Sequence, residues 1–170
     1  YNYDENYGSH VLPRIYGIYS FNDFFALKGG VSTGYATPDI KQRTQDLALP
    51  FAGGRGAQLG RSSLKPETSV SYEFGGVYNN NEGFETSLTG FYTSFKDMLS
   101  YSPICSRGSV CRHKGKIYPN GIWESINIGK AEIYGVELTN EWQVTNALRL
   151  NQSYVYTKSK QKDGSEVGKS

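Results

Sequence analysis

Two cysteines, Cys105 and Cys111, lie close to His113, a set that raises the questions of a zinc site and of a disulfide. Five residues separate the cysteines, within a stretch rich in Gly, Ser and Arg. A structural zinc site needs four ligands, and Cys-x5-Cys-x-His is not a zinc spacing. Two cysteines this close together instead favour a small disulfide formed in an oxidising compartment. The spacing therefore predicts a Cys105–Cys111 bridge and no metal site.

Two glycine-containing segments match catalytic or nucleotide-binding patterns only in part. Gly30–Gly34 fits G-x-S-x-G, but that motif needs a following helix and downstream acid and His partners. Here Tyr35–Pro38 follows without a helical pattern, and His113 is the only later histidine. Gly53–Gly60 lacks the G-x-G-x-x-G spacing of a dinucleotide site and reads as a surface loop. The sequence therefore predicts a protein that is not an enzyme.

Composition excludes several further classes. The 170 residues carry 18 basic and 16 acidic side chains, a formal net charge of +2, which gives no reason to expect nucleic-acid binding. There are 20 glycines and 14 tyrosines, and no run approaches the roughly 18 apolar residues of a transmembrane helix. No signal-peptide pattern opens the chain, and both ends are expected to be cuts through a longer polypeptide.

Six segments alternate apolar and polar residues with a period of two, the pattern of half-buried strands. We therefore predict strands at about Val11–Tyr19, Phe25–Tyr35, Thr68–Tyr78, Phe84–Tyr101, Ile122–Trp142 and Leu148–Tyr156. The fourth has no clear phase, because its large apolar residues fall on both faces, which predicts a bulge within it. Pro13 is an exception inside the first strand, where a missing N–H is unfavourable.

The connections between these strands alternate strictly between short and long. Tight hairpin turns are predicted at 21–23, 79–83 and 144–146. Long links run from about Ala36 to Lys65 and from about Ser102 to Gly121, and a tail begins near Lys160. All long loops should therefore lie at one end, as in outer-membrane barrels. A soluble β-sandwich or barrel shares the alternation, but structureless links of this length are uncommon in it.

Specific strings in the sequence resemble motifs of TonB-dependent outer-membrane receptors, in the order of that family. Leu64–Ser69 reads LKPETS, Lys28–Pro38 resembles GGVSxGYKAP, Phe91–Leu99 resembles FYNDYKDMI and Asn127–Leu138 is similar to NVGKARIxGVE. Gly8–Arg14 resembles the GSHxxPR strand of catecholate-siderophore receptors of the colicin I and enterobactin type. Together the matches cover nearly the whole chain.

The resemblance implies an all-β fold, an antiparallel up-and-down meander that forms part of a transmembrane β-barrel. Residues 1–170 would be a partial barrel domain of about six strands, with the plug domain and the remaining strands outside this sequence. The charged residues Glu73, Glu137 and Arg149 on the polar strand faces must then point inward, because a charge facing lipid costs several kcal/mol. We expect them to pair with charges of the plug or of neighbouring strands.

The same resemblance implies a function and a location. The intact protein would lie in the bacterial outer membrane, bind and import a ferric siderophore, and couple to TonB through the plug domain. It would hold no covalently bound cofactor and would contact outer-membrane lipid and lipopolysaccharide. The alternatives are a passive porin-like channel or a soluble β-barrel binding module.

Charge is concentrated in the two long loops. The first carries five basic and two acidic residues, a net charge of +3, and the second carries four basic residues and no acid. Basic, aromatic-flanked loops suit an anionic ferric siderophore through charge attraction and cation–π contact. The alternative is that they bind lipopolysaccharide phosphates. We predict that Asp23 and Glu82 lie at the opposite, turn end, and that the ligand-binding set is Arg55, Arg61, Arg107, Arg112 and Lys114.

Overall fold

The computed structural model of the chain describes residues 2–4, 7–44 and 48–162. Asp46, one of the two acidic residues of the first long loop, and the tail beyond Lys162 lie outside the described residues. In chain order the elements are β1 (Asn2–Asp4), β2 (Gly8–His10), β3 (Arg14–Ser20), β4 (Phe25–Ala36), α1 (Ile40–Arg43), β5 (Ala48–Phe51), β6 (Gly56–Leu59), β7 (Glu67–Asn79), β8 (Phe84–Cys105), β9 (Arg112–His113), β10 (Lys116–Ile117), β11 (Ile122–Thr145) and β12 (Leu148–Gln161).

The six predicted strands form one antiparallel meander in the order β3-β4-β7-β8-β11-β12, which confirms the predicted fold class. Short turns join β3 to β4, β7 to β8 and β11 to β12, so all long links lie at the other end. In the described part of the chain β3 pairs only with β4, and β12 only with β11. Six strands cannot close a wide barrel, so two open edges are what a section of one should show.

The first strand begins later than predicted. Val11–Tyr19 was expected to be extended throughout, but β3 starts at Arg14, directly after Pro13. Proline has no N–H to donate to a neighbouring strand. Its carbonyl oxygen is used instead, accepting hydrogen bonds from the Thr33 N–H at 3.1 Å and the Thr33 hydroxyl at 3.2 Å. Pro13 therefore closes the end of β3 against β4 without belonging to the strand.

The register of the meander gives it one apolar and one polar face. Tyr72, Tyr92 and Tyr134 are successive cross-strand partners on the first face. On the opposite face Ser71 pairs with Thr93, and their hydroxyls hydrogen-bond at 2.9 Å. The polar face also carries the charged residues predicted to point inward, Glu73, Glu137 and Arg149. The apolar face, called here the outward face, includes Leu27, Val31, Phe74, Tyr78, Leu88, Val136, Leu138, Trp142, Leu150 and Tyr154.

The bulge predicted among the large apolar residues of the fourth strand is not there. β8 pairs with β7 and β11 without a shift from Phe84 to Lys96, and its register shift lies at the far end, beside Ile122. Tyr92 faces outward, whereas Phe91 faces inward. A Cβ at Gly135 would lie 2.9 Å from the Phe91 ring, so that ring fills the space beside a glycine on the inner face. An aromatic inner residue thus obscured a regular alternation.

Charged residues mark the loop-side limit of the apolar outward band. Lys130 and Glu132 continue the outward face of β11 beyond Tyr134, and Glu132 pairs with Lys162 at 3.1 Å. From Tyr134 to Trp142 the strand rises about 27 Å. At a tilt of about 40° this gives a band of roughly 21 Å, close to the ~25 Å of outer-membrane barrels. Among the described residues, no helix is long and apolar enough to cross a membrane.

The long loops contain strands of their own, contrary to the expectation of structureless links. β5 and β6 pair with each other, and β6 also pairs in parallel with the loop end of β11, through Ala57–Leu59 and Ile122–Glu124. This departs from the antiparallel order of the six long strands. Because β6 lies on the β11 edge that faces away from β8, the first long loop must cross β7 and β8 to reach it.

Candidate functional site

A small apolar core holds the two long loops together. Ala57 of the first loop, Cys111 and Tyr118 of the second loop, and Ile122 at the start of β11 are buried in one cluster. Ala48, Leu59 and Cys105 pack against this cluster and are partly buried. Burying apolar surface in this way contributes about 25 cal/mol for each Å² removed from water. The two basic loops therefore form one packed unit, called here the loop unit (residues 37–44, 48–66 and 102–124).

The predicted disulfide is present and belongs to this core. Cys105 ends β8 and Cys111 precedes β9, with their Cα atoms 5.8 Å apart. Cys111 is only 1% exposed. The bridge closes the segment that contains Arg107, whose turn is fastened by a hydrogen bond from the Ser109 N–H to the Ser106 carbonyl. Arg107 therefore lies in a short loop that the disulfide closes.

Backbone hydrogen bonds join the two loops directly. The Ala57 N–H donates to the Gly121 carbonyl at 3.2 Å, and the Asn120 N–H donates to the Arg55 carbonyl at 2.8 Å. Gly121 has φ +96°, and a Cβ there would lie 2.7 Å from the Cys105 carbonyl oxygen. Only glycine fits such a position. The turn that bears Arg55 is therefore fixed beside the end of the disulfide loop.

Asn127 fastens the first loop where it returns to the sheet. Its side-chain carbonyl accepts from the Lys65 N–H at 2.8 Å, and its amide nitrogen donates to the Lys65 carbonyl at 2.9 Å. The same nitrogen donates to the Asp97 carbonyl at 2.7 Å. One amide thus joins β11, β8 and the end of the first long loop. The family motif that begins at Asn127 can be found in the sequence, but nothing in it indicates that the side chain would bond to Lys65 and Asp97.

A second set of contacts fixes the crossing part of the first loop. Gln42 of α1 donates its side-chain amide to the Tyr101 hydroxyl at 3.0 Å and accepts the Arg61 N–H at 2.7 Å on its backbone carbonyl. The Arg61 Nε lies 3.7 Å from a carboxylate oxygen of Glu124. Arg61, predicted as a ligand residue, is therefore also engaged in an ion pair with β11.

The structure places the predicted basic residues at the loop end, as expected. Arg55 lies in the β5–β6 turn, Arg112 in β9 and Lys114 in the β9–β10 turn, and all are exposed. Asp23 and Glu82 lie in short turns at the opposite end. Lys116, which was not in the predicted set, lies 5.5 Å from the centre of the Tyr118 ring. The loop unit therefore combines exposed positive charge with aromatic side chains.

Metal binding by side chains has no support in the described ranges. There, no group of three or more His, Cys, Asp or Glu is arranged to hold a metal ion. His113 lies in the β9–β10 hairpin, and both cysteines belong to the disulfide. What the loop unit offers a ligand is positive charge and aromatic surface.

Comparison with known families matches this architecture. A family model described as TonB dependent receptor-like, beta-barrel, matches residues 1–170. The chain belongs to the TonB-dependent receptor family. Within it, the iron-regulated outer membrane virulence protein of Vibrio cholerae serotype O1 is 35% identical over 168 residues, covering 99% of this chain and 25% of the relative. The ferric enterobactin receptor of Pseudomonas aeruginosa is 25% identical over 169 residues, covering 94% and 22%.

Solved structures of TonB-dependent receptors share the fold. The siderophore receptor PirA from Pseudomonas aeruginosa superposes with a TM-score of 0.73 at 19% identity, over 94% of this chain and 30% of that one. A mutant ferric enterobactin receptor (PfeA) in complex with enterobactin gives 0.65 at 25% identity, over 91% and 23%. The chain spans about a quarter of the length of the curated relatives it matches. The names of these relatives place one in the outer membrane and describe the other as a receptor for ferric enterobactin, and this chain is a section of the β-barrel of such a family member.

Proposed function

We propose that the intact protein binds a ferric siderophore of the catecholate type at the loop unit and imports it with energy supplied through TonB. The observation that carries this proposal is the packing of two basic loops around one core. Arg55, Arg107, Arg112 and Lys114 all extend from that unit. Positive charge concentrated at one end of a barrel attracts an anionic ligand and raises its local concentration.

The catecholate preference rests on two further observations. Exposed aromatic side chains lie among the charges: Trp123 is 38% exposed and Tyr101 is 47% exposed. Flat catechol rings can stack on such side chains and on guanidinium groups. One relative is named as a receptor for ferric enterobactin, and one structural neighbour holds enterobactin itself. Both observations favour a catecholate over a hydroxamate.

We propose that a different set of charged residues contacts lipopolysaccharide. Lys96, Lys130, Lys158 and Lys160 continue the outward face just beyond its apolar band, on three neighbouring strands. Lysines at that height meet the phosphates of the outer leaflet, whereas the arginines of the loop unit extend past them. We therefore propose that these four lysines contact lipopolysaccharide and that the loop arginines contact the siderophore.

Quenching of intrinsic fluorescence in the purified intact receptor tests the ligand class. We expect a ferric catecholate to quench saturably at lower concentration than a ferric hydroxamate or cobalamin. Replacing Trp123 by Phe should reduce the quenching, because Trp123 lies in the loop unit. Trp142→Phe is the matched control, since Trp142 lies on the outward face at the turn end. Tighter quenching by the hydroxamate, or none by any ligand, would contradict the proposal.

A further inference from the structure

An apolar groove of about 450 Å³ lies on the outward face, in its turn-side half. The groove exists because two outward positions are glycine where their neighbours are bulky: Gly76 pairs with Leu27 and Leu88, and Gly90 pairs with Phe74 and Val136. Its walls are Phe25, Leu27, Phe74, Gly75, Gly76, Tyr78, Thr86, Leu88, Gly90 and Val136.

Backbone geometry does not require a glycine at the centre of this groove. Gly90 lies in a regular strand, and a Cβ there would contact only the Phe74 carbonyl oxygen, at 3.8 Å. A Cβ at Gly76 would lie 3.4 Å from the Phe25 ring, which is ordinary contact. By contrast, a Cβ at the inward Gly75 would fall within 2.9 Å of the Thr89 Cα. The outward glycines therefore leave open space that neighbouring side chains do not fill.

The position of the groove indicates what fills it. It is continuous with the apolar band that an outer-membrane receptor presents to lipid, so hydrocarbon must cover it. At its turn end, Phe84 lies 6.5 Å from Tyr78 and 6.4 Å from Trp142, between ring centres. Aromatic clusters of this kind lie at the membrane interface. The groove therefore opens toward the periplasmic leaflet, which the short turns face, and away from the lipopolysaccharide leaflet.

The groove also has a polar end suited to a lipid ester. The Thr86 hydroxyl, in its wall, donates to the Asn140 side-chain oxygen at 2.6 Å, and both residues are on the outward face. The amide N–H groups of Asn140 can donate hydrogen bonds to an ester carbonyl. From Tyr78 to Phe74 the groove runs about 13 Å along the strand. We propose that it holds one acyl chain of a periplasmic-leaflet phospholipid, with the lipid ester at Asn140.

Native mass spectrometry of the intact receptor with phosphatidylethanolamine tests this assignment. Wild-type receptor should retain one phospholipid after detergent is stripped. Gly90→Leu fills the groove and should lower the retained fraction at least fivefold. Ser94→Leu is the matched control, because Ser94 faces outward from β8, between Val70 of β7 and Glu132 of β11, and does not line the groove. Migration of unheated receptor on denaturing gels shows whether each variant has folded.

Asn140→Leu is a second variant that leaves the groove open. It should also lower retention, because it removes the amide partner of the ester while keeping an apolar side chain. Equal retention in wild type, Gly90→Leu and Asn140→Leu would overturn the assignment. So would wild-type receptor that retains lipopolysaccharide or detergent in place of the phospholipid, or that retains no lipid. None of these outcomes bears on siderophore transport.

Discussion

Changing both Arg107 and Arg112 to Gln in the intact receptor is expected to weaken binding of an anionic ferric catecholate at least tenfold. Both side chains are exposed, one on the disulfide ring and one in β9. A charge-assisted contact contributes about 1.5–3 kcal/mol, and about 1.4 kcal/mol corresponds to tenfold in affinity. Equilibrium binding of the radiolabelled ferric complex to whole cells, at a fixed salt concentration, measures the change.

A control must separate direct contact from general electrostatic attraction. Lys158→Gln with Lys160→Gln removes the same charge from β12, outside the loop unit. We expect this control pair to change affinity less than twofold at 150 mM salt, because charges more than about 8 Å apart in water are largely screened there. Neither pair should alter folding, since exposed charges contribute little to stability. Unchanged affinity in the arginine pair at low salt would remove both residues from the siderophore site.

Gly135→Ala is expected to prevent correct assembly of the barrel. A Cβ at Gly135 would fall on the carbonyl oxygen of Tyr156 in the neighbouring strand and 2.9 Å from the Phe91 ring. The ring could rotate, but the Tyr156 carbonyl belongs to the β11–β12 ladder and cannot move without breaking it. Overpacking costs about 1–3 kcal/mol and occasionally more, and a backbone obstacle that cannot move puts Gly135→Ala at the upper end of that range. The yield of heat-modifiable, folded receptor in outer membranes measures the loss.

Gly90→Ala provides the comparison for that substitution. A Cβ at Gly90 would contact only the Phe74 carbonyl oxygen, at 3.8 Å, and Gly90 lies in β8, which has both of its neighbouring strands in this section. It should fold with wild-type yield, because alanine reduces the entropy of the unfolded chain and meets no obstacle. A folded yield for Gly135→Ala equal to that of Gly90→Ala would show that β12 is not held as closely to β11 as the structure has it.

Local alternation was sufficient to predict the six long strands and the end at which the loops lie. Period-two patterns report directly which residues share a face, and short turns between them leave one order of antiparallel neighbours. The errors in the predicted strands also arise from local sequence. Alternation alone places Pro13 inside the first strand, although proline has no N–H to donate, and it treats the inward Phe91 as a break in the pattern.

The loop unit could be predicted in composition but not in arrangement. Its charge and its disulfide follow from residue types and close spacing. The parallel pairing of β6 with β11 and the three hydrogen bonds of Asn127 join residues more than 29 positions apart, and no local pattern encodes them. Arg61 illustrates the consequence: its type suggested ligand binding, whereas its ion pair with Glu124 depends on which strand the loop reaches.

Energised uptake most directly tests the claim that this chain is part of a siderophore importer. The measurement is accumulation of radioactive iron, supplied as a ferric catecholate, by cells whose only such receptor is the intact protein. We predict saturable accumulation of iron in cells that have TonB. Cells that lack TonB should bind the ferric catecholate at their surface with the same affinity but should not accumulate iron. Equal accumulation in both cell types would contradict the account and identify the protein as a passive channel.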